Sequence, residues 1–493
     1  MSDTILSAYA VPAGHFDELL DAAGEPRAWW AALRARADLS AAHLSHAQAR
    51  VARQMHENGV TYNVYAAEDG PNRLWTLDVL PHVIDAGEWS SLESGLRQRA
   101  RLLNALAADV YGPQHVLRDG IVPPALVFQH RGYLRACHGV LPRGGVFVHL
   151  VAFDLARHPD GRWLVAGSRT QAPSGAGYAL ENRATIPRLF PAAFRELHVE
   201  PLAPFFDELR QTLAAAAPCD EGTPHIGLLT PGPYNETYFE QSYLAKYLGF
   251  SLVEGADLTV RDDRVFLKTI SGLRPLHAIL RRLDDDYCDP LELRNDSTLG
   301  VPGLVQAWRA GRVLVANAFG TGVLESPDLC ALLPAISRRL LGESLPMESA
   351  DDPDSLPLSH APVWQNGRLE SRRLVLRVFL GADGHGDYRL MPGGLVRIAG
   401  DLDPIVSGQR GGGSKDMWVL SARPFTPAPT RVPGESLRQN DLGVSSRAAE
   451  HLFWLGRYAE RAENGARLLR AVLSRLSDPS SAPHVPQAFV KMC

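Results

Sequence analysis

The segments FVHLVAFDLA and RWLVAGS follow a period of two and flank HPDG, a turn signal that ends in Asp-Gly. They read as a β-hairpin with Asp154 on one arm and residues 163–169 on the other. Alternate residues of a strand share a face. A carboxylate on one arm and two oxygen ligands spaced i, i+2 on its partner can therefore converge on a divalent cation. Arg377 interrupts the apolar strand LVLRVFL; it reads either as a strand-edge arginine exposed to solvent or as a buried guanidinium, which needs an anionic partner. GQRGGGSKD (408–416) offers backbone N–H groups unhindered by side chains, so Arg410, Gly411, Gly412, Gly413, Ser414 and Lys415 read either as an anion cradle or as a flexible hairpin turn. It is not a P-loop, because the Gly-Lys-Ser/Thr order is absent.

Three further places carry polar groups at suggestive spacings. LTPGPYNETYF (229–239) reads as strand, turn and helix, with Asn235 as helix cap or as part of a substrate site. Asp285 lies in the run Asp284–Asp286, which reads either as a site for a cation or amine or as a solvated loop. PSGAGYALENR sets Glu181 and Arg183 at the start of a helix, as site-facing groups or as a helix-end charge pair. His43 and His46 lie one helical turn apart with no further ligand nearby, and read as surface residues.

The elements that must position these groups fall into a mixed α/β pattern. Residues 15–120 are a helical region, and the period changes to two from about 121 to 175 within a hairpin region spanning 121–200. Residues 201–345 alternate strands with helices (HIGLLT, NETYFEQSYLAKYLG, FSLVEG, HAILRRL, PGLVQAWRAG, RVLVANA, SPDLCALLPAISRRLLG), which favours a parallel, Rossmann-like sheet. The Pro- and Asp-rich stretch 346–360 reads as a linker, and 361–430 as a second β block that holds the glycine loop. A long amphipathic helix occupies 441–477, and a disordered Ser/Pro tail follows over 478–493.

Long word-like matches run through TYNVY, GLRQRARLLNALAADVYGPQ, AFDLARHPDGRWLVAGSRTQAPSGAGYALENR and LTPGPYNETYFEQSYLAKYLGFSLVEGADLTV. They continue through LRRLDDDYCDPLELR, LRVF, MPGGLVRIA and QRGGGSKDMWVLSARP. Across most of residues 55–425 the chain thereby resembles the circularly permuted, type 2 ATP-grasp family, akin to glutathionylspermidine synthetase. The order of the pieces fits permutation, since the metal hairpin precedes the α/β pre-ATP domain. The final helix, SSRAAEHLFWLGRYAERAENGARLL, resembles the opening helix of an alpha-E domain. Its apolar face is available for self-association or for a protein partner.

The resemblance implies an ATP- and Mg²⁺-dependent carboxylate–amine ligase that joins a peptide-like acid to an amine through an acyl phosphate. Asp154 would hold the metal and Arg377 would stabilise the transferred phosphoryl group. Residues 410–415 would contact phosphate, and Asn235, Glu181, Arg183 and Asp285 would face substrate. Two departures oppose it. Gly167 and Arg169 occupy the family's Glu and Asn metal-ligand positions, and no lysine lies between Lys268 and Lys415, where the family's nucleotide clamp carries one. The alternative is a catalytically degenerate homologue that binds a ligand or a partner protein.

Composition narrows the remaining classes. A net charge of −5 gives no electrostatic reason for a nucleic-acid partner. The five cysteines are scattered without a CxxC pair, which argues against a disulfide framework and a thiolate zinc site. No apolar stretch is long enough to span a bilayer, and the N-terminus does not read as a secretory signal, so a cytoplasmic location is expected.

Overall fold

A computed structural model describes residues 5–6, 9–62, 73–350, 356–400, 406, 412–421 and 444–476. The chain divides into two units, 1–266 with 275–441 and 267–274 with 442–493.

The first unit is built on a seven-stranded sheet. Its strands are His82–Ile84 (β1), Leu150–Arg157 (β2), Trp163–Arg169 (β3), His360–Gln365 (β11), Arg368–Ala382 (β12), Tyr388–Ile398 (β13) and Gly413–Val419 (β14). They run in the order β1-β14-β13-β12-β2-β3, with β11 paired to β12. The early hairpin and the late β block, more than 200 residues apart in sequence, are thus neighbours, because β12 pairs antiparallel with β2. All eight residues of β2 are buried. That is why its apolar run is nearly continuous: both faces of a central strand are covered.

The remaining strands are Ile226–Leu229 (β4), Ser251–Val253 (β5), Leu258–Arg261 (β6), Arg264–Thr269 (β7), Gly272–Leu276 (β8), Ala278–Arg281 (β9) and Leu314–Ala316 (β10). Strands β10, β9, β4 and β5 form an all-parallel sheet in that order, as the alternating strand and helix pattern implies. Strands β6, β7 and β8 form a third sheet. The helix Ala86–Val110 packs on β13 and starts at Asp85, whose carboxylate accepts from the N–H groups of Gly87 and Glu88.

Local expectations are corrected in several places. Within the stretch expected to turn to strand near 121, strand structure begins only at Leu150, and Pro124–Phe128 is a short helix that starts on its proline. The helix after LTPGP begins at Tyr238 with Thr237 as N-cap. Asn235 instead accepts from Thr237 N and Gln241 Nε2 at 3.0 and 2.9 Å and shapes the turn ahead of it. SPDLCALLPAISRRLLG divides into 3₁₀ (Pro327–Leu332) and α (Leu333–Leu340) segments. The polar stretch 346–360 is not a free linker throughout. Val165 of β3 pairs with Ser349, donating to Glu348 O at 3.0 Å and accepting from Ala350 N at 2.9 Å, and Met347 is buried against Gly95. An open sheet edge leaves backbone groups to be satisfied, and this segment satisfies them.

In the second unit Ile270 N donates to Val444 O at 3.3 Å, and Ser446–Leu476 is one continuous helix with Leu452, Phe453, Trp454 and Leu455 exposed. The proposed tail 478–493 lies outside the described residues. Among the described residues no helix is long and apolar enough to cross a membrane.

Candidate functional site

One face of the seven-stranded sheet collects charge at its centre. The strand register sets Asp154 opposite both Arg377 of β12 and Gly167 of β3. Arg377 in turn lies opposite Leu395 of β13, so Arg397, two residues further along, shares the face, as Arg169 does on β3. Arg377 grips the Asp154 carboxylate with two hydrogen bonds of 2.8 Å, from Nε and Nη2. Arg397 Nη2 lies 3.0 Å from Asp154 Oδ1, and Arg169 Nε 3.6 Å from Oδ2. Arg377 Nη1 also donates to the Ser174 carbonyl at 3.1 Å, which anchors the loop above the sheet.

That loop, with the 235–237 turn, closes a cavity of about 310 Å³ within the first unit. Arg169 and Arg377 form its floor, and Tyr62, Gln171, Ser174, Asn235, Glu236, Thr237, Asp284 and Glu325 line the rest. Tyr62 donates its hydroxyl to Glu236 at 3.0 Å, and Glu325 Oε1 accepts from Thr170 N and Gln171 N at 2.6 and 2.7 Å. The lining therefore carries both cationic and acidic groups.

Burial by itself would raise the Asp154 pKa. Arg377, Arg397 and Arg169 outweigh it and hold the carboxyl well below the usual carboxylate range. Burial opposes the charge of both inner guanidiniums as well. For Arg377 the bidentate contact with Asp154 overcomes it, whereas Arg397, with two other arginines close by, is lowered to about 10 and stays cationic at neutral pH. Burial also raises Asp284 and Glu325.

The residues present do not fit Mg²⁺ at Asp154. A carboxylate offers about four lone-pair directions, and here the two oxygens face three guanidinium groups. Two unit charges 4 Å apart interact by about 4 kcal/mol at an effective dielectric of 20, so a divalent ion would meet repulsion of roughly twice that from each arginine. Among the described residues no group of three or more His, Cys, Asp or Glu is placed to hold a metal ion.

The other candidates lie elsewhere. Asp285 is buried, accepts from Gly320 N at 2.9 Å and sits 3.7 Å from Arg281; its neighbour Asp284 is the one that lines the cavity. Glu181 and Arg183 sit late in the helix Ala176–Thr185, not at its start, and outside the cavity lining. Glu181 accepts from Asn58 Nδ2 at 2.7 Å, and Arg183 bonds Asp416, Glu200 O and Met417 O, which fastens the helix to β14. Of the glycine loop, Arg410 and Gly411 lie outside the described residues, Gly412 precedes β14, and Gly413 opens it. Ser414 donates to Thr76 O at 3.0 Å. Lys415 is 1% exposed and is bonded to Asp78 and, at 2.7 Å, to Pro362 O. No lysine lines the cavity.

Gly175, just after the anchored Ser174, has φ +114 and donates its N–H to Glu240 Oε1 at 2.7 Å. A Cβ there would lie 3.0 Å from Leu395 Cδ2, 3.2 Å from Phe379 Cζ and 3.4 Å from Arg377 Cδ. G175A is expected to cost about 1–3 kcal/mol in urea denaturation, since it combines backbone strain with crowding of Arg377. An unchanged midpoint would show that this loop tolerates a side chain.

The fold is that of an ATP-grasp protein, and comparison with known proteins gives the family. The circularly permuted ATP-grasp type 2 family matches residues 81–352, and this chain belongs to it. Residues 444–492 match Alpha-E, a predicted alpha-helical domain with a conserved ER motif, and Glu460–Arg461 lies in that span. An uncharacterised Mycobacterium tuberculosis protein is 36% identical over 534 residues, with 93% of this chain and 60% of the relative covered. The chain thus spans about 60% of that relative's length. The alignment is longer than this chain's 493 residues, so the relative carries internal segments that are absent here. An uncharacterised Synechocystis protein is 34% identical over 83% of this chain and 98% of its own length. A solved glutathione synthetase-like effector from Globodera pallida, in its apo form, shares the fold at TM-score 0.50 and 11% identity, over 76% of this chain and 96% of that one.

Proposed function

We propose that this chain is a ligand-binding member of the ATP-grasp family that holds a peptide-like molecule in the cleft and does not carry out Mg²⁺-dependent ligation there. The observation that supports this is the polarity of the cavity. Arg169 and Arg377 line it together with Glu236, Asp284 and Glu325, so cationic and acidic groups share one small cleft. A carboxylate end fits Arg169, whose planar guanidinium offers paired donors, and an amino group fits the carboxylates. Ser174 and the 235–237 turn supply neutral polar groups. A cavity of this size suits a small ligand of one or two residues. We place this activity in the cytoplasm.

The competing reading is an ATP-dependent carboxylate–amine ligase acting through an acyl phosphate. It is favoured by the retention of Arg377 at the cleft floor of a ligase-type fold. Positioning and charge stabilisation carry most of phosphoryl transfer, so a cleft without a cation site or a lysine should lose most of that rate. Calorimetry separates the two. Short peptides with free termini should bind in the presence of EDTA, while ATP should give no magnesium-dependent heat. Micromolar ATP binding that requires Mg²⁺ would overturn the binding-protein reading.

A further inference from the structure

We propose that Arg169 is a built-in replacement for a divalent cation, and that it makes the cleft floor a metal-independent receptor for the oxyanion of a ligand, carboxylate or phosphate. The inference rests on the binding reading above, and deepens it by naming which group does the work and what it displaces.

The three arginines around Asp154 are not equivalent. Arg377 and Arg397 are mostly buried and hold the carboxylate at 2.8–3.0 Å. Their charge is committed to Asp154. Arg169 is more exposed and less tightly held. Its side chain is 49% exposed, it lines the cavity, and it approaches Asp154 Oδ2 and Glu325 Oε2 only at 3.6 and 3.9 Å. Those separations are ion-pair distances beyond hydrogen-bond length, so its N–H donors stay available to a ligand. Arg169 therefore sets a positive charge both beside the Asp154 carboxylate and in the cavity lining.

Gly167 makes room for this arrangement. It lies directly opposite Asp154, and a Cβ built on it meets only that side chain, at 3.9 Å. Its φ lies outside the left-handed range that would require a glycine. Backbone geometry thus leaves this position free to carry a side chain. An acidic side chain there would hold Arg169 down by pairing with it, whereas glycine leaves the guanidinium free to face the cavity. The result is a fixed positive charge that needs no metal and presents a fork of donors to two oxygens.

The test uses the whole chain, with glutarate as carboxylate probe and inorganic phosphate as phosphate probe, followed by calorimetry or ligand-observed NMR. Binding of at least one probe should be the same in EDTA and in excess Mg²⁺, and which probe binds tells carboxylate from phosphate. R169Q and G167E should each weaken it by about tenfold or more, as expected for loss of a charged hydrogen-bonding partner. R169K should keep part of it, and thermal midpoints should show that all three variants fold. The inference fails if binding requires Mg²⁺ or Mn²⁺, or if folded R169Q binds like wild type. In those cases the broader binding reading survives provided that free-terminus peptides bind in EDTA. If neither these probes nor free-terminus peptides bind under any condition, both fall.

Discussion

D154N is expected to be one of the most damaging single substitutions in this chain, with a loss of about 3–5 kcal/mol of folding stability. The asparagine keeps the shape and removes the charge. Arg377 and Arg397 are then left facing each other in the interior without their shared counterion. Removing one partner of a buried ion pair is costly because the other remains desolvated. The pH dependence makes the assignment specific. The Asp154 pKa is depressed in the folded protein, so the stability it supplies is present above the unfolded-state value near ~3.9 and is lost as pH falls through the folded value. The gap between wild type and D154N should hold steady from neutral pH to about pH 5 and narrow below that. Urea denaturation at several pH values reads both. Equal stability at pH 7 would mean that the three arginines are held by something other than Asp154.

The same cluster shows how far a sequence can be read. Asp154 and Arg377 are both legible, one as a lone carboxylate on a hairpin and the other as a charge in an apolar strand that needs an anionic partner. That each is the other's partner is not legible, because it depends on the register of β12 against β2, 223 residues apart. Arg397 was missed, although the period-two alternation of MPGGLVRIA carried a usable signal. It puts Arg397 on the same face as Leu395, which pairs with Arg377. The acidic lining was harder to find. Glu236, Asp284 and Glu325 come from three separate segments, the last of them the end of the 3₁₀ helix Thr321–Glu325, and only the closed fold brings them to one cavity. Asp285 was preferred over Asp284 because a run of three identical residues gives no internal cue to which one turns inward. The parallel sheet followed from local alternation, whereas the joining of hairpin and late β block into one sheet is a long-range event.

Lys415 offers the second large effect, and it separates a structural lysine from a phosphate ligand. Its place beside a glycine run suggests a loop, but β14 begins at Gly413 and carries the side chain inward. Burial lowers the Lys415 pKa and raises that of Asp78, and each opposes the shift of the other. The pair ties three segments together: Lys415 bonds Asp78 and Pro362 O, and Asp78 Oδ1 accepts from Trp364 N at 3.0 Å. K415M is expected to destabilise the ligand-free protein by about 3–5 kcal/mol, because Asp78 stays buried without its cation. The double variant K415M/D78L should recover most of the loss, since a well-packed apolar pair can match a buried ion pair. A lysine held ready for nucleotide phosphate would behave in the opposite way. K415M would then leave ligand-free stability intact and change only ATP binding, and the double variant would restore nothing. Thermal denaturation of the three proteins without nucleotide therefore decides whether Lys415 belongs to the core or to the cleft.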